Sequence, residues 1–123
     1  MINPSSIMLR WYRQSTGGAA SLDQEYTTSE VLDLLRPDPD DASDRVAAVR
    51  STASQPVVWL DHLTKRERRE LGELADRLPM LVFHHAVGRS TDELVQRYGG
   101  WSTWRYDRAL EVACGCIASH LNE

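Results

Sequence analysis

The sequence predicts a small, mainly α-helical, single-domain bundle that has a helix-turn-helix near its carboxyl end and a long last helix. Three capping boxes, in which a hydroxyl residue precedes a glutamate by three positions, predict helix starts at Thr27, Thr64 and Ser90. Apolar residues then recur at helical spacing, most clearly at the end of the chain: Tyr106, Leu110, Ala113, Ile117 and Leu121.

The bulk composition fits one globular domain. The chain has 123 residues, of which 41% are hydrophobic and 26% charged, enough to bury a core without metal or disulfide staples. Its net charge of −4 argues against a protein that coats nucleic acid non-specifically, because that binding depends on Lys and Arg neutralising phosphates. Arginines recur in the second half, so a nucleic-acid-binding face is expected there.

The location is predicted to be cytoplasmic. The start, Met1-Ile2-Asn3-Pro4, lacks the basic residues and apolar run of a signal peptide. No apolar run approaches the roughly 18 residues that a membrane span requires, so no membrane contact is expected. Cys114 and Cys116 lie too close on a helix to form an unstrained disulfide, which indicates buried thiols in a reducing compartment.

The first half of the chain gives weaker signals. Residues 1–25 are predicted to be a poorly defined segment, and residues 26–123 a helical domain. A helix should follow Thr27 and end at Pro37, and another should run from about Ala42 to Arg50. Residues 56–62 have strand-like composition and could equally form an extended lead-in to the next helix.

The middle of the chain predicts one amphipathic helix that starts at Thr64. Its apolar stripe is Leu71, Leu74, Ala75 and Leu78, and Pro79 should stop or kink it. The charged run of residues 65–70 mixes signs and indicates a solvated, ion-paired face. Residues 80–87 are apolar enough to be buried, with His84 at the edge of the core.

The helix-turn-helix is predicted at about residues 88–121. A short helix from Thr91 to Tyr98 meets a turn at Gly99-Gly100, and a second helix runs from Thr103 to Leu121. Leu94 and Val95 should face the core. The turn and second helix should close that core with Trp101, Tyr106 and Leu110.

Several polar side chains would then lie on or near the outer face of the second helix. Arginines there could reach guanine edges or phosphates, and hydroxyls could bind phosphates. The predicted DNA-binding residues are Ser102, Thr103, Trp104, Arg105, Arg108, Arg97 and Arg89.

Two segments resemble a known DNA-binding family. Leu63-Thr64-Lys65-Arg66-Glu67-Arg68 and Gly88-Arg89-Ser90-Thr91-Asp92-Glu93-Leu94-Val95 are similar to the scaffold helix and first motif helix of LuxR-type regulators and of region 4 of sigma factors. The resemblance covers about residues 63–110. It implies a transcriptional regulator that binds double-stranded DNA.

A second interpretation stays open beside it. The acidic balance and the pair Trp101 and Trp104 fit a protein-binding regulatory module that keeps the helix-turn-helix shape and contacts a protein partner through these tryptophans. In the DNA-binding interpretation, a homodimer could form through the last helix at Ala113, Cys114, Ile117 and Leu121.

No catalytic or cofactor motif is recognisable, so an enzyme is not predicted and no cofactor is expected. Cys116 and His120 are spaced i, i+4 and could share a metal ion. A closed zinc site needs four ligands, however, and Cys114 points to another face. The sequence therefore predicts no metal site.

Overall fold

The computed structural model describes residues 25–36 and 43–123. The helices are α1 (Thr28–Leu34), α2 (Asp44–Ala53), α3 (Pro56–Leu60), α4 (Lys65–Leu71), α5 (Leu78–Ala86), α6 (Thr91–Tyr98) and α7 (Thr103–Leu121), with a 3₁₀ segment at Gly72–Arg77. No strand occurs within these two ranges, so the mainly α prediction is confirmed. The N-terminal segment predicted for residues 1–25 lies outside the described residues, apart from Glu25.

The long helix α7 forms the centre of the bundle. Helices α1, α2, α3, α5 and α6 all pack against it. Its middle is buried on every side, which is the expected pattern for a helix that is apolar all round. The buried residues there are Val112, Ala113, Cys114, Cys116, Ile117 and Ala118.

This burial bears on the residues that the sequence offered for self-association. Ala113, Cys114 and Ile117 are fully buried inside the chain itself, so they belong to the core of one protomer rather than to a free surface. Burial raises the pKa of Cys114 to about 12 and that of Cys116 to about 11. Both residues are free cysteines, as expected.

Polar caps start most helices where the sequence places them. The Thr64 hydroxyl accepts the Glu67 N–H at 3.0 Å, and the Glu67 carboxylate accepts the Thr64 N–H at 3.0 Å. Ser90 and Glu93 form the same reciprocal box. Such caps satisfy backbone N–H groups that have no partner within the helix.

The prediction of a strand or an extended segment at residues 56–62 was wrong. Pro56 starts the short helix α3 instead, at a position where its missing N–H and fixed φ favour a helix. Trp59 is buried in the core, and its Nε1–H donates to the Ala53 carbonyl oxygen at 3.3 Å. Packing of this aromatic side chain against the bundle selects the helix.

The predicted single helix of residues 65–78 is divided. Gly72 ends α4 with φ +61°, a backbone conformation that favours glycine, and a 3₁₀ segment follows. Pro79 lies in the first turn of α5, so it begins a helix rather than stopping one. Leu71, Leu74 and Leu78 are nevertheless buried as the apolar stripe predicts.

No helix in the described part of the chain has both the length and the apolar character needed to cross a bilayer.

Candidate functional site

Helices α6 and α7 are joined by a short turn, as the sequence predicts. Helix α6 ends at Gly99, and Ser102 is the N-cap of α7. The Tyr106 hydroxyl donates to the Gly99 carbonyl oxygen at 3.0 Å, so the first turns of α7 hold the connection in place. Two helices and a four-residue turn, residues 99–102, therefore form one packed unit.

The two tryptophans of this unit have different environments. Trp101 is half-buried, its ring lying edge-on to Tyr106 with centroids 5.9 Å apart. The Arg77 guanidinium lies 5.5 Å from the Trp101 ring centroid. Trp104 is 68% exposed. Trp101 therefore helps close the core, and Trp104 is the tryptophan that a partner could reach.

Arg108 bonds to acidic side chains of its own chain. Its Nε and Nη2 donate to the two carboxylate oxygens of Glu70 at 2.7 and 3.2 Å, and its Nη1 donates to Glu111 Oε1 at 2.9 Å. The bond from Arg108 lowers the pKa of Glu70, and the two glutamates raise the pKa of Arg108. Its charge is balanced locally, which weakens it as a phosphate ligand.

Arg105 and Thr103 also have partners within the chain. Arg105 Nη2 donates to the Leu71 carbonyl oxygen at 3.2 Å. The Thr103 hydroxyl donates to Asp92 Oδ1 at 3.2 Å. Two of the predicted DNA-binding side chains on this face therefore fasten α7 to α4 and α6.

Trp104 borders a small cleft where α7 meets α4. The cleft has a volume of about 100 Å³ and is lined by Glu70, Leu71, Trp104, Arg105 and Arg108. We call these five residues the Trp104 face. The sequence did not identify Glu70 and Leu71 as site residues, because their contacts with α7 are tertiary and leave no local spacing signal.

Arg89 and Arg97, the remaining predicted DNA contacts, lie around His84. Arg89 Nη1 donates to His84 Nδ1 at 2.8 Å, and His84 Nε2 lies 3.0 Å from the Tyr98 hydroxyl. Because a guanidinium can only donate, Nδ1 must accept, and the neutral ring carries its proton on Nε2. Burial, then the charges of Arg89 and Arg97, lower the pKa of His84.

This geometry predicts an acid-sensitive contribution to stability. The unfolded chain binds a proton at His84 below its ordinary pKa of 6.5, whereas the folded chain resists protonation until a lower pH. The free energy of unfolding should therefore fall as pH drops below 6.5. Urea melts across this range should show a shallower fall in His84→Gln than in wild type, and equal pH dependence would contradict the assignment.

A larger, more apolar groove lies on another side of the bundle. It has a volume of about 400 Å³ and is lined in part by Leu35, Pro56, Val82 and Phe83. Val57, next to Pro56, is 82% exposed, and Phe83 is exposed as well. This surface is distinct from the Trp104 face and provides matched positions for control variants.

The predicted site residues therefore divide into three groups. Trp104 is exposed, Ser102 caps α7, and Arg89, Thr103, Arg105 and Arg108 bind other parts of the same chain. Arg97 is exposed on α6. Comparisons of the chain with protein-family models, with curated proteins and with solved structures found no match.

Proposed function

We propose that this chain is a protein-binding module whose partner contacts the Trp104 face. The observation that carries the proposal is the exposure of Trp104, 68%, beside two arginines that already bind acceptors of the same chain. An exposed indole beside ordered charged groups is typical of the centre of a protein interface. The same arrangement offers little uncompensated positive charge for a phosphate backbone.

The surroundings of Trp104 define the chemistry of the partner. Glu70 and Glu111 flank Arg108, and Asp107 is exposed one turn along α7. A matching surface would have an apolar pocket for the indole ring and a neutral or basic rim. Burial of an aromatic anchor of this kind commonly accounts for about 2 kcal/mol or more of binding free energy.

The first experiment identifies what lies against the face. A photo-crosslinking amino acid is placed at Asp107 in one variant and at Val57, on the other side of the bundle, in a second variant. We expect one dominant protein adduct from position 107 in cells and none of the same mass from position 57. Equal labelling from both positions would count against a specific face.

The second experiment measures the anchor. Trp104→Ala should weaken binding of the crosslinked partner by about 30-fold or more, because about 2 kcal/mol corresponds to that ratio. Val57→Ala removes exposed apolar surface elsewhere and should leave the dissociation constant unchanged. If Trp104→Ala binds as tightly as wild type, the proposed role of this residue is wrong.

DNA binding is the second candidate function. It is favoured by the layout of α6 and α7, and by an N-terminus of α7 to which the Ser102 side chain, within the described part, gives no capping bond. Backbone N–H groups at such a terminus can bind phosphate. Fluorescence anisotropy with a random labelled duplex at low salt tests it: salt-dependent binding that is lost when Arg105→Ala and Arg108→Ala are combined would favour DNA over a protein partner.

A further inference from the structure

We propose that His62, His120 and Glu123 form a binding site for Zn²⁺ that joins the end of α3 to the end of α7. His62 Nε2 lies 3.1 Å from Glu123 Oε2, and His120 Nδ1 lies 3.6 Å from Glu123 Oε1. One candidate ligand atom from each residue lies within 4.8 Å of the others. The Glu123 carboxylate therefore bridges two imidazole nitrogens that come from distant parts of the sequence.

These distances are close to those of a tetrahedral site. Zinc binds histidine nitrogen and carboxylate oxygen at about 2.0–2.2 Å, which places neighbouring ligand atoms about 3.3 Å apart. The His62–Glu123 distance already has about this value. Small side-chain rotations of His120 and Glu123 would complete the set, and Glu123, with its side chain 61% exposed, has room to make them.

The backbone around the three residues is held in position without a metal ion. The His62 N–H donates to the Trp59 carbonyl oxygen at 3.1 Å, directly beside a fully buried tryptophan. Asn122, between the other two ligands, makes a two-bond clamp with the Tyr26 backbone, at 2.7 and 2.9 Å. Because these bonds fix both chain segments, binding requires little ordering of the backbone.

The donor set selects the class of metal. Two imidazoles and one carboxylate suit Zn²⁺, whereas Mg²⁺ and Ca²⁺ prefer oxygen ligands throughout. Three protein ligands leave a fourth position for water. Cys116, the i, i+4 neighbour of His120, is buried in the core and does not belong to the cluster.

Isothermal titration of the metal-free full chain with Zn²⁺ tests the proposal. We expect one equivalent to bind, with an accompanying rise in Tm, because a ligand that binds only the folded state stabilises it. His62→Gln and His120→Gln should each weaken binding by about 100-fold or more, since loss of even an outer-shell partner costs about 10–100-fold. His85→Gln, a histidine outside the cluster, is the matched control and should bind as wild type does.

The spectrum of the Co²⁺-substituted protein identifies the donors independently. Visible bands of a tetrahedral nitrogen and oxygen site, without a thiolate charge-transfer band, would support the assignment. A thiolate band, absence of stoichiometric binding, or full binding retained in either histidine variant would overturn it. Because His62 and His120 are only half-buried, circular dichroism should show that both variants keep their helices.

Discussion

Trp59→Ala should cost about 3–5 kcal/mol of the free energy of unfolding, the range measured when large aromatic side chains are truncated in a core. Trp59 is 0% exposed, on a helix of five residues that packs against α7. The change removes the indole ring, leaves a cavity, and also removes the hydrogen bond to Ala53. Urea unfolding followed by far-ultraviolet circular dichroism measures the loss.

Trp104→Ala provides the matched control, because it makes the same chemical change at an exposed position. A surface substitution away from special contacts changes the free energy of unfolding by about 0.5 kcal/mol or less. A wide difference between the two variants is therefore expected. Similar losses in both would mean that Trp104 packs in solution, and the proposed binding face would lose its anchor.

The helix starts were predictable because capping is local. Thr27, Thr64 and Ser90 each accept the backbone N–H of a glutamate three residues later, and those glutamates can be read directly from the sequence. The apolar spacing of Tyr106, Leu110 and Ile117 likewise predicted burial that the structure confirms. Signals that act within one or two turns of helix were sufficient for the class of fold.

The errors at Pro56 and Pro79 have one physical cause. Proline breaks a helix from its interior and favours a helix from its first turn, and local sequence alone does not determine which position it occupies. Here both prolines stand in first turns. The burial of Trp59 and the positive φ of Gly72 decide the matter, and both depend on tertiary packing.

The candidate site was only partly predictable for a related reason. The residue types around Trp104 were identified, but the partner of Arg108 is Glu70, on a different helix. The proposed zinc ligands His62 and His120 are brought together by the packing of α3 against α7. A spacing of i, i+4 drew attention to Cys116 and His120 instead, because local periodicity cannot detect a pair that the bundle assembles.

Gly99→Ala should destabilise the chain by about 1–3 kcal/mol, although the space around it is open. A Cβ atom built at Gly99 has no other atom within 4 Å among the residues described, so steric crowding is not the cause. The backbone at this position has φ +64° and ψ −159°, a region that is essentially restricted to glycine. The cost therefore comes from the backbone of residue 99 itself, and thermal or urea melts would measure it.

Gly99→Asn separates this explanation from a simpler one. Asparagine tolerates the left-handed helical region, where ψ is near +47°, but gains nothing at a ψ of −159°. We therefore expect Asn to be about as destabilising as Ala at this position, while Gln96→Ala, on the exposed part of α6, leaves stability nearly unchanged. If Asn restores the stability of glycine, residue 99 adopts the left-handed helical conformation in solution. The Gly99 carbonyl oxygen would then point elsewhere, and the hydrogen bond from Tyr106 that fastens the turn to α7 would be lost.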